Sequence, residues 1–87
     1  MATQHFEREI RGMPLWLLQT YLVEMGGLEQ APGLVQGEGW TAQLEQIEDY
    51  RIGSLSVGQL RITVDGRAEA MAKLLPELEK KLLRAGG

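Results

Sequence analysis

The 87-residue sequence contains no cysteine and only one histidine, His5. Disulfide bonds, thiolate nucleophiles and cysteine-based zinc or iron–sulfur centres are therefore excluded together. A metal site made of protein groups would have to use carboxylates, which favour calcium or magnesium, and the acidic residues show no calcium-loop spacing. The sequence predicts a protein without a metal or a cofactor.

The sequence also lacks a long apolar run and a concentration of basic residues. Its longest apolar-rich segment, residues 13–25, is too short to span a bilayer and contains Gln19, Thr20 and Glu24. The first residues have no signal-peptide pattern. Nine basic residues are spread along a chain of net charge −3, which offers nucleic acid no strongly positive surface. We expect a cytoplasmic protein that binds neither membranes nor nucleic acid.

The composition, with 44% hydrophobic and 24% charged residues, is that of a globular protein. Because an independent core typically needs about 100 residues, residues 1–87 should form a single domain. A chain of this length is stabilised by roughly 4 to 13 kcal/mol, so that a second copy or a partner protein could add appreciably to its stability.

Periodicity predicts a strand and then a helix at the start of the chain. Residues 4–11 alternate between two sides, which is the period of a half-buried strand. Pro14 suits a first helical turn, and Gly26-Gly27 supplies the residue that commonly ends a helix. Five residues of this helix share an arc that should face the core: Leu15, Leu18, Tyr21, Leu22 and Met25.

Three further apolar residues of this helix lie outside the core arc. Trp16 and Val23 form a second strip, and Leu17 lies on the opposite flank. The helix therefore needs a second cover, which could be another protein surface. Alternatively, Trp16 packs under the second helix, since aromatic residues usually join a core where helices are neighbours.

Short alternating runs separated by glycines predict an antiparallel meander between residues 28 and 65. After a loop around Pro32-Gly33, we expect strands at residues 34–37, 40–48, 51–57 and 59–64. Tight connections are expected near residues 48–49 and 57–58. Ile52 and Leu55 are out of phase in this scheme, and Gly53 is the expected position of a bulge that restores the register.

A second amphipathic helix is predicted over residues 66–84, with Asp65 as its N-terminal cap and Pro76 as the cause of a kink or a break. The predicted order is strand, helix, four strands, helix. This β-α-β-β-β-β-α order defines an α+β fold, with one antiparallel sheet and two helices on one face.

Three segments resemble a known family: PLWLLQTYLVEMGG, GWTAQLEQIEDYRIGSL and QLRITVDG. With the element order and the length, they are similar to the small C-terminal domain of proteins related to MoaD, the small subunit of molybdopterin-converting factor. The resemblance runs from Phe6 to Leu83 and implies a TATA-box-binding-protein-like (TBP-like) fold in a domain of unknown function. The family's better-known members carry a ubiquitin-like sulfur-carrier domain ahead of this one, so we expect any sulfur-carrier role to belong to a domain that this chain lacks.

Residues that could carry chemistry are few, and each has a simpler structural interpretation. His5, Glu7 and Glu9 share one strand face and could form an acid–base site only under a covering cleft, so a solvated face is preferred. The stretch Gly37-Glu38-Gly39 precedes a strand and not a helix, which argues against a phosphate loop. A hard cation could bind Glu45, Glu48 and Asp49, but acidic residues at a hairpin end usually face water.

The terminal Gly86-Gly87 pair is shared with sulfur carriers, whose narrow tail enters an activating enzyme. Here it follows a predicted helix that ends in Leu82-Leu83-Arg84, and not an extended strand. We interpret it as the frayed end of that helix.

Two classes of function remain. The first is a non-enzymatic interaction module, working as a homodimer or with another protein, through Trp16, Leu17 and Val23 or an open sheet edge. The second is a small-ligand or cofactor-handling accessory protein linked to molybdopterin or sulfur-carrier chemistry, with the ligand between the sheet and Pro76. DNA binding by the outward sheet face is not expected, because its positions carry both signs of charge. These positions are His5, Glu7, Glu9, Thr41, Gln43, Glu45, Arg61 and Thr63.

Overall fold

The computed structural model describes residues 2–86, with side chains as far as Leu83. Its elements are β1 (Thr3–Arg11), α1 (Leu15–Glu24), β2 (Leu28–Ala31), β3 (Leu34–Gly37), β4 (Trp40–Ile52), β5 (Leu55–Arg67) and α2 (Ala68–Gly86). The strands form one antiparallel sheet in the spatial order β1-β5-β4-β3-β2. The predicted α+β fold and its order of elements are confirmed.

Both helices lie on the same face of this sheet. Alternate residues of the strands point to that face because successive side chains of a strand point to opposite sides. Helix α1 packs mainly on β3 and β4, while α2 packs on β1 and β5. Together they form one core: Ile10, Met13, Leu18, Leu22, Val35, Trp40, Ala42, Leu44, Leu60, Ile62, Val64, Met71, Leu74, Leu78 and Leu82.

The boundaries within the meander differ from the prediction. Residues 28–31, expected in a loop, form β2 and pair with β3 across the Pro32-Gly33 turn. Residues 59–64 are in a strand as expected, but the expected boundaries are wrong, because β4 continues to Ile52 and β5 runs unbroken from Leu55 to Arg67. The hairpin turn between them is Gly53-Ser54, and Gly53 adopts a positive φ of 59° that suits glycine.

The β-bulge occurs in β4 at residues 48–49 and not at Gly53. Ile47 pairs with Gln59 and Tyr50 with Val57, so three steps along β4 match two along β5. The extra residue shifts the alternation of β4 by one position. As a result Ile52 and Leu55, which the sequence suggested were out of phase, lie opposite each other on one face.

Two predictions about α2 need correction, and a third lies partly outside the described residues. Asp65 belongs to β5 and does not cap α2, which begins at Ala68. The sequence predicted a kink or a break at Pro76; the helix passes through Pro76 as one element, so the break is wrong, while the kink stays a prediction. Gly86 is the last residue of α2, whereas Gly87 lies outside the described residues, so the prediction about the Gly-Gly tail is not addressed by the structure.

One buried side chain, Trp40, packs against three glycines from distant parts of the chain. A Cβ atom at Gly27 would lie 2.8 Å from the end of its indole ring, and one at Gly66 would lie 2.8 Å from its Cβ. A Cβ at Gly37 would overlap the ring itself. These glycines are therefore required by close packing.

Substituting Gly66 tests this close packing. The Cβ of Gly66→Ala would collide with the carbonyl oxygen of Gly39 and with Trp40, both in the adjacent chain segment. We expect the free energy of unfolding, measured by urea denaturation, to fall by about 1 to 3 kcal/mol.

The matched control is Gly58→Ala in the same strand, where the new Cβ would make only an ordinary contact, 3.9 Å from Gln46 Nε2. Its stability should change by no more than about 0.5 kcal/mol. Equal stability of the two variants would contradict the packing described for Trp40.

Candidate interaction surfaces

The outer strip of α1, defined by Trp16, Thr20 and Val23, faces away from the rest of the protein. Trp16 is 67% exposed and Val23 is 40% exposed. Trp16 thus does not pack under α2, and that alternative is wrong. Leu17, the third residue predicted for an interface, is half-buried and packs against the core. It lies at the margin of the strip.

Contacts on both flanks fix the orientation of α1. On one flank, Gln19 is buried, and its side-chain amide donates a 3.0 Å hydrogen bond to the carbonyl of Ala31. Its side-chain oxygen accepts a 3.0 Å hydrogen bond from the backbone N–H of Gly33. On the other flank, Lys81 of α2 lies 4.9 Å from the ring centroid of Tyr21. These contacts fix the rotation of α1 about its axis, so that the outer strip is exposed to solvent.

The sheet face opposite the helices, here called the open face, carries an ionic network centred on Arg61. Its guanidinium nitrogens lie 3.3 Å from Glu7, 3.1 Å from Glu9 and 3.7 Å from Glu45. The sequence predicted that these four side chains point outward, and they do. Register explains the grouping, since Arg61 pairs with Glu9 on one side and Glu45 on the other.

His5 extends this network towards the end of the sheet. Its Nδ1 lies 2.6 Å from Oδ1 of Asp65, and its Nε2 lies 3.6 Å from Oε1 of Glu7. The hydrogen bond with Asp65, and secondly the interaction with Glu7, raise the pKa of His5 above its ordinary value. All three side chains are at least half exposed. This agrees with the prediction of a solvated strand face over that of a covered acid–base site.

The raised pKa of His5 can be measured by following its ring protons in an NMR titration. We expect a midpoint above about 6.5, the usual histidine value. Asp65→Asn should lower the midpoint, while Asp49→Asn, whose carboxylate accepts a hydrogen bond from Ser56, should leave it unchanged.

Because protonated His5 is favoured in the folded state, its stabilising effect is complete below the unfolded-state pKa of about 6.5. It is lost as the pH rises through the higher pKa of the folded state. A midpoint in the wild-type protein at or below the ordinary value would show that the contact with Asp65 does not form in solution.

The hairpin of β4 and β5 projects beyond the other strands as a two-stranded arm. Strand β1 ends at Arg11, opposite Gln59, whereas the hairpin continues to Gly53. The whole molecule is accordingly elongated, with a longest extent of 47 Å. On the open face, the arm and its base carry a row of apolar side chains, here called the apolar arm face: Ile47, Tyr50, Ile52, Leu55 and Val57.

Two members of the apolar arm face are strongly exposed, Ile52 by 57% and Leu55 by 69%. Arg11 lies over the ring of Tyr50, with its guanidinium carbon 3.5 Å from the ring centroid. This surface is not among the sequence predictions, because residues 40–64 were expected to form three strands and not one hairpin. The signal was present in the pair Gly53-Ser54, which is typical of a hairpin turn.

The remaining sequence candidates do not come together. Gly37-Glu38-Gly39 forms the turn between β3 and β4 and leads into a strand, as predicted. Glu45 faces Arg61, Glu48 lies in the bulge, and Asp49 accepts a 2.8 Å hydrogen bond from Ser56. Among the described residues, no three metal-ligating side chains converge.

A cleft of about 630 Å³ lies between the end of α1, the β3–β4 turn and the first half of α2. Its apolar lining includes Met25, Trp40 and Leu74, and charged side chains surround it. This is not the place predicted for a ligand. The space between the sheet and α2 near Pro76 is filled by Leu74 and Leu78, which are buried.

The helices of the described part of the chain include none that is both long and apolar enough to cross a membrane.

The fold and these surfaces define a small α+β domain with one helix-covered and one open sheet face. Residues 6–87 match the family model described as archaeal MoaD-like protein. Because the match covers nearly the whole sequence, the chain belongs to the archaeal MoaD-like family. The MoaD-related resemblance of the three sequence segments is thereby confirmed, whereas the TBP-like fold stays a prediction. None of the curated proteins compared with the chain matches it.

Proposed function

We propose that this MoaD-related protein is a non-enzymatic interaction module that works as a homodimer formed through the outer strip of α1. The observation that carries the proposal is the 67% exposure of Trp16. Tryptophan is costly to leave in water and is the residue type most enriched at the energetic centres of protein interfaces. Acid–base catalysis is disfavoured because His5, the one histidine of the sequence, lies on an uncovered sheet face.

The strip is suited to pairing with a copy of itself. Trp16 and Val23 are separated by about two helical turns, or about 10 Å along the axis. Two antiparallel α1 helices would therefore place each Trp16 over the Val23 of the partner. Thr20, between them, directs its hydroxyl to the carbonyl of Trp16 at 2.9 Å and so presents its methyl group outward. A symmetric contact of this kind closes a dimer.

Trp16→Ala tests the dimer. Because Trp16 buries little within its own chain, the variant should fold, but its mass in analytical ultracentrifugation should fall to that of a monomer. Its melting temperature should also lose its dependence on protein concentration. Leu83→Ala is the matched control, since Leu83 is an exposed apolar residue of α2 (76%) outside the strip. A wild-type protein that is monomeric at all concentrations would contradict the proposal.

The second candidate, a small-ligand accessory protein, is favoured by the cleft beside α1. Its volume of about 630 Å³ is within the range of small-molecule sites, and Trp40 and Leu74 provide an apolar floor. Native mass spectrometry of the purified protein should then show a retained small molecule, and Ala70→Trp, which fills the cleft, should remove it. Identical masses for both proteins, after allowance for the substitution, would argue against this function.

A further inference from the structure

The open face of the sheet has two halves of different chemistry. In the acidic half, four carboxylates share one guanidinium and one imidazole: Glu7, Glu9, Glu45 and Asp65 around Arg61 and His5. An excess of two negative charges remains there even when His5 is protonated. Arg11 adds one positive charge to the open face at the boundary with the apolar half, where it donates a hydrogen bond to Gln59 and lies over the ring of Tyr50. The apolar half is the apolar arm face.

The two halves adjoin each other along the same strands. Moving along β5 from Arg61 towards the hairpin turn, the open-face positions are Gln59, then Val57, then Leu55. Six residues of strand correspond to about 20 Å, so the two halves lie within reach of one short polypeptide segment.

The apolar half is not expected to be left uncovered in a working protein. A two-stranded ribbon is only marginally stable in water unless its apolar face packs against something. Here the opposite side of the arm is polar, as the pair Arg51 and Ser56 shows, so the arm is amphipathic. Its apolar side faces away from both helices.

Charge decides which occupant fits this face. A second copy placed arm on arm would leave both acidic halves uncovered. A second copy placed over the whole face would bring the acidic halves together or, in the opposite orientation, bury each acidic half against apolar side chains. Duplex DNA would be repelled by the excess carboxylates. A polypeptide with apolar residues at one end and lysine or arginine at the other matches both halves.

We propose that the open face of β1, β4 and β5 binds a basic amphipathic segment of another protein. Its apolar side chains cover Ile52 and Leu55, and its cationic side chains approach Glu9 and Glu45. If the segment is helical, about 13 residues span the 20 Å between the two halves. This site lies across the sheet from α1, so it is independent of the proposed homodimer.

The two halves should contribute differently to binding. Exposed ion pairs add only about 0 to 1 kcal/mol each, whereas burial of Leu55 and Ile52 removes apolar surface from water. The apolar half should therefore supply most of the affinity. The acidic half should supply the faster association and the dependence on salt concentration.

Selection from a phage-displayed library of random peptides tests the proposal without a known partner. Peptides of about 16 residues are long enough to span both halves. The folded wild-type protein is the target, and the Leu55→Ser/Glu45→Lys double variant is used for counter-selection. We expect the enriched peptides to combine several lysines or arginines with a cluster of large apolar residues.

Synthetic versions of the enriched peptides are then measured by fluorescence anisotropy at low and high salt. Leu55→Ser should weaken binding about tenfold, and Glu45→Lys should weaken it most at low salt, so that the salt dependence is reduced. Leu83→Ser is the matched control, since Leu83 is an exposed leucine of α2, and it should leave binding unchanged. Circular dichroism confirms that each variant is folded.

Several results would overturn the proposal. These are the absence of any enrichment over an unrelated protein, enrichment of peptides without positive charge, and equal binding by the double variant and the wild type. A dimer that dissociates on Leu55→Ser but not on Trp16→Ala would assign the open face to a second copy. Tight, salt-sensitive binding of duplex DNA by this face would likewise show that its partner is nucleic acid and not a peptide.

Discussion

The packing of Trp40 against glycine is the contact on which the arrangement of the other elements depends. Gly27 follows α1, Gly37 ends β3, and Gly66 lies near the end of β5, so three separate chain segments meet at Trp40, the first two at its indole ring and the third at its Cα and Cβ. A Cβ would not fit at any of these positions, so the backbones at Gly27 and Gly37 approach the ring directly and the backbone at Gly66 approaches that of Trp40. The 2.8 Å hydrogen bond from Arg67 N–H to the carbonyl of Gly39 closes the same corner. The entry to β2, the β3–β4 turn and the start of α2 are positioned together.

Local patterns were sufficient to predict most of the fold. The alternation of β1, the arc that contains Leu18 and Leu22, and the amphipathic α2 each depend on residues close in sequence, and the structure has them as predicted. The prediction for the hairpin is wrong because Glu48-Asp49 has the composition of a turn, and a turn was predicted there, but these residues form a bulge. A bulge and a turn use similar residues, and only pairing with the neighbouring strand distinguishes them.

The grouping of the open-face side chains could not have been read from the sequence. That His5, Glu7 and Arg61 point outward follows from alternation, but their contacts depend on the register between β1 and β5, which are separated by most of the chain. Asp65 is the clearest example of a contact that depends on strand register. Its position before a helix suggested a cap, whereas the length of β5 carries it into the sheet and the register places it opposite His5.

The lengths of the elements and the bulge in β4 together explain why the two helices leave the apolar arm face uncovered. Strands β4 and β5 have 13 residues each, about 43 Å of extended chain, whereas the 10 residues of α1 extend about 15 Å and the 19 residues of α2 about 28 Å. Even longer helices would not cover Ile52 and Leu55, because both side chains lie on the open face. Leu55 lies there through the unbroken alternation of β5, and Ile52 lies there because of the bulge in β4. Without the extra residue, Tyr50 and Ile52 would point to the side of the helices. The bulge thus places Tyr50 and Ile52 on the same surface as Leu55, Val57 and the acidic network, and any molecule that covers them must contact the open face.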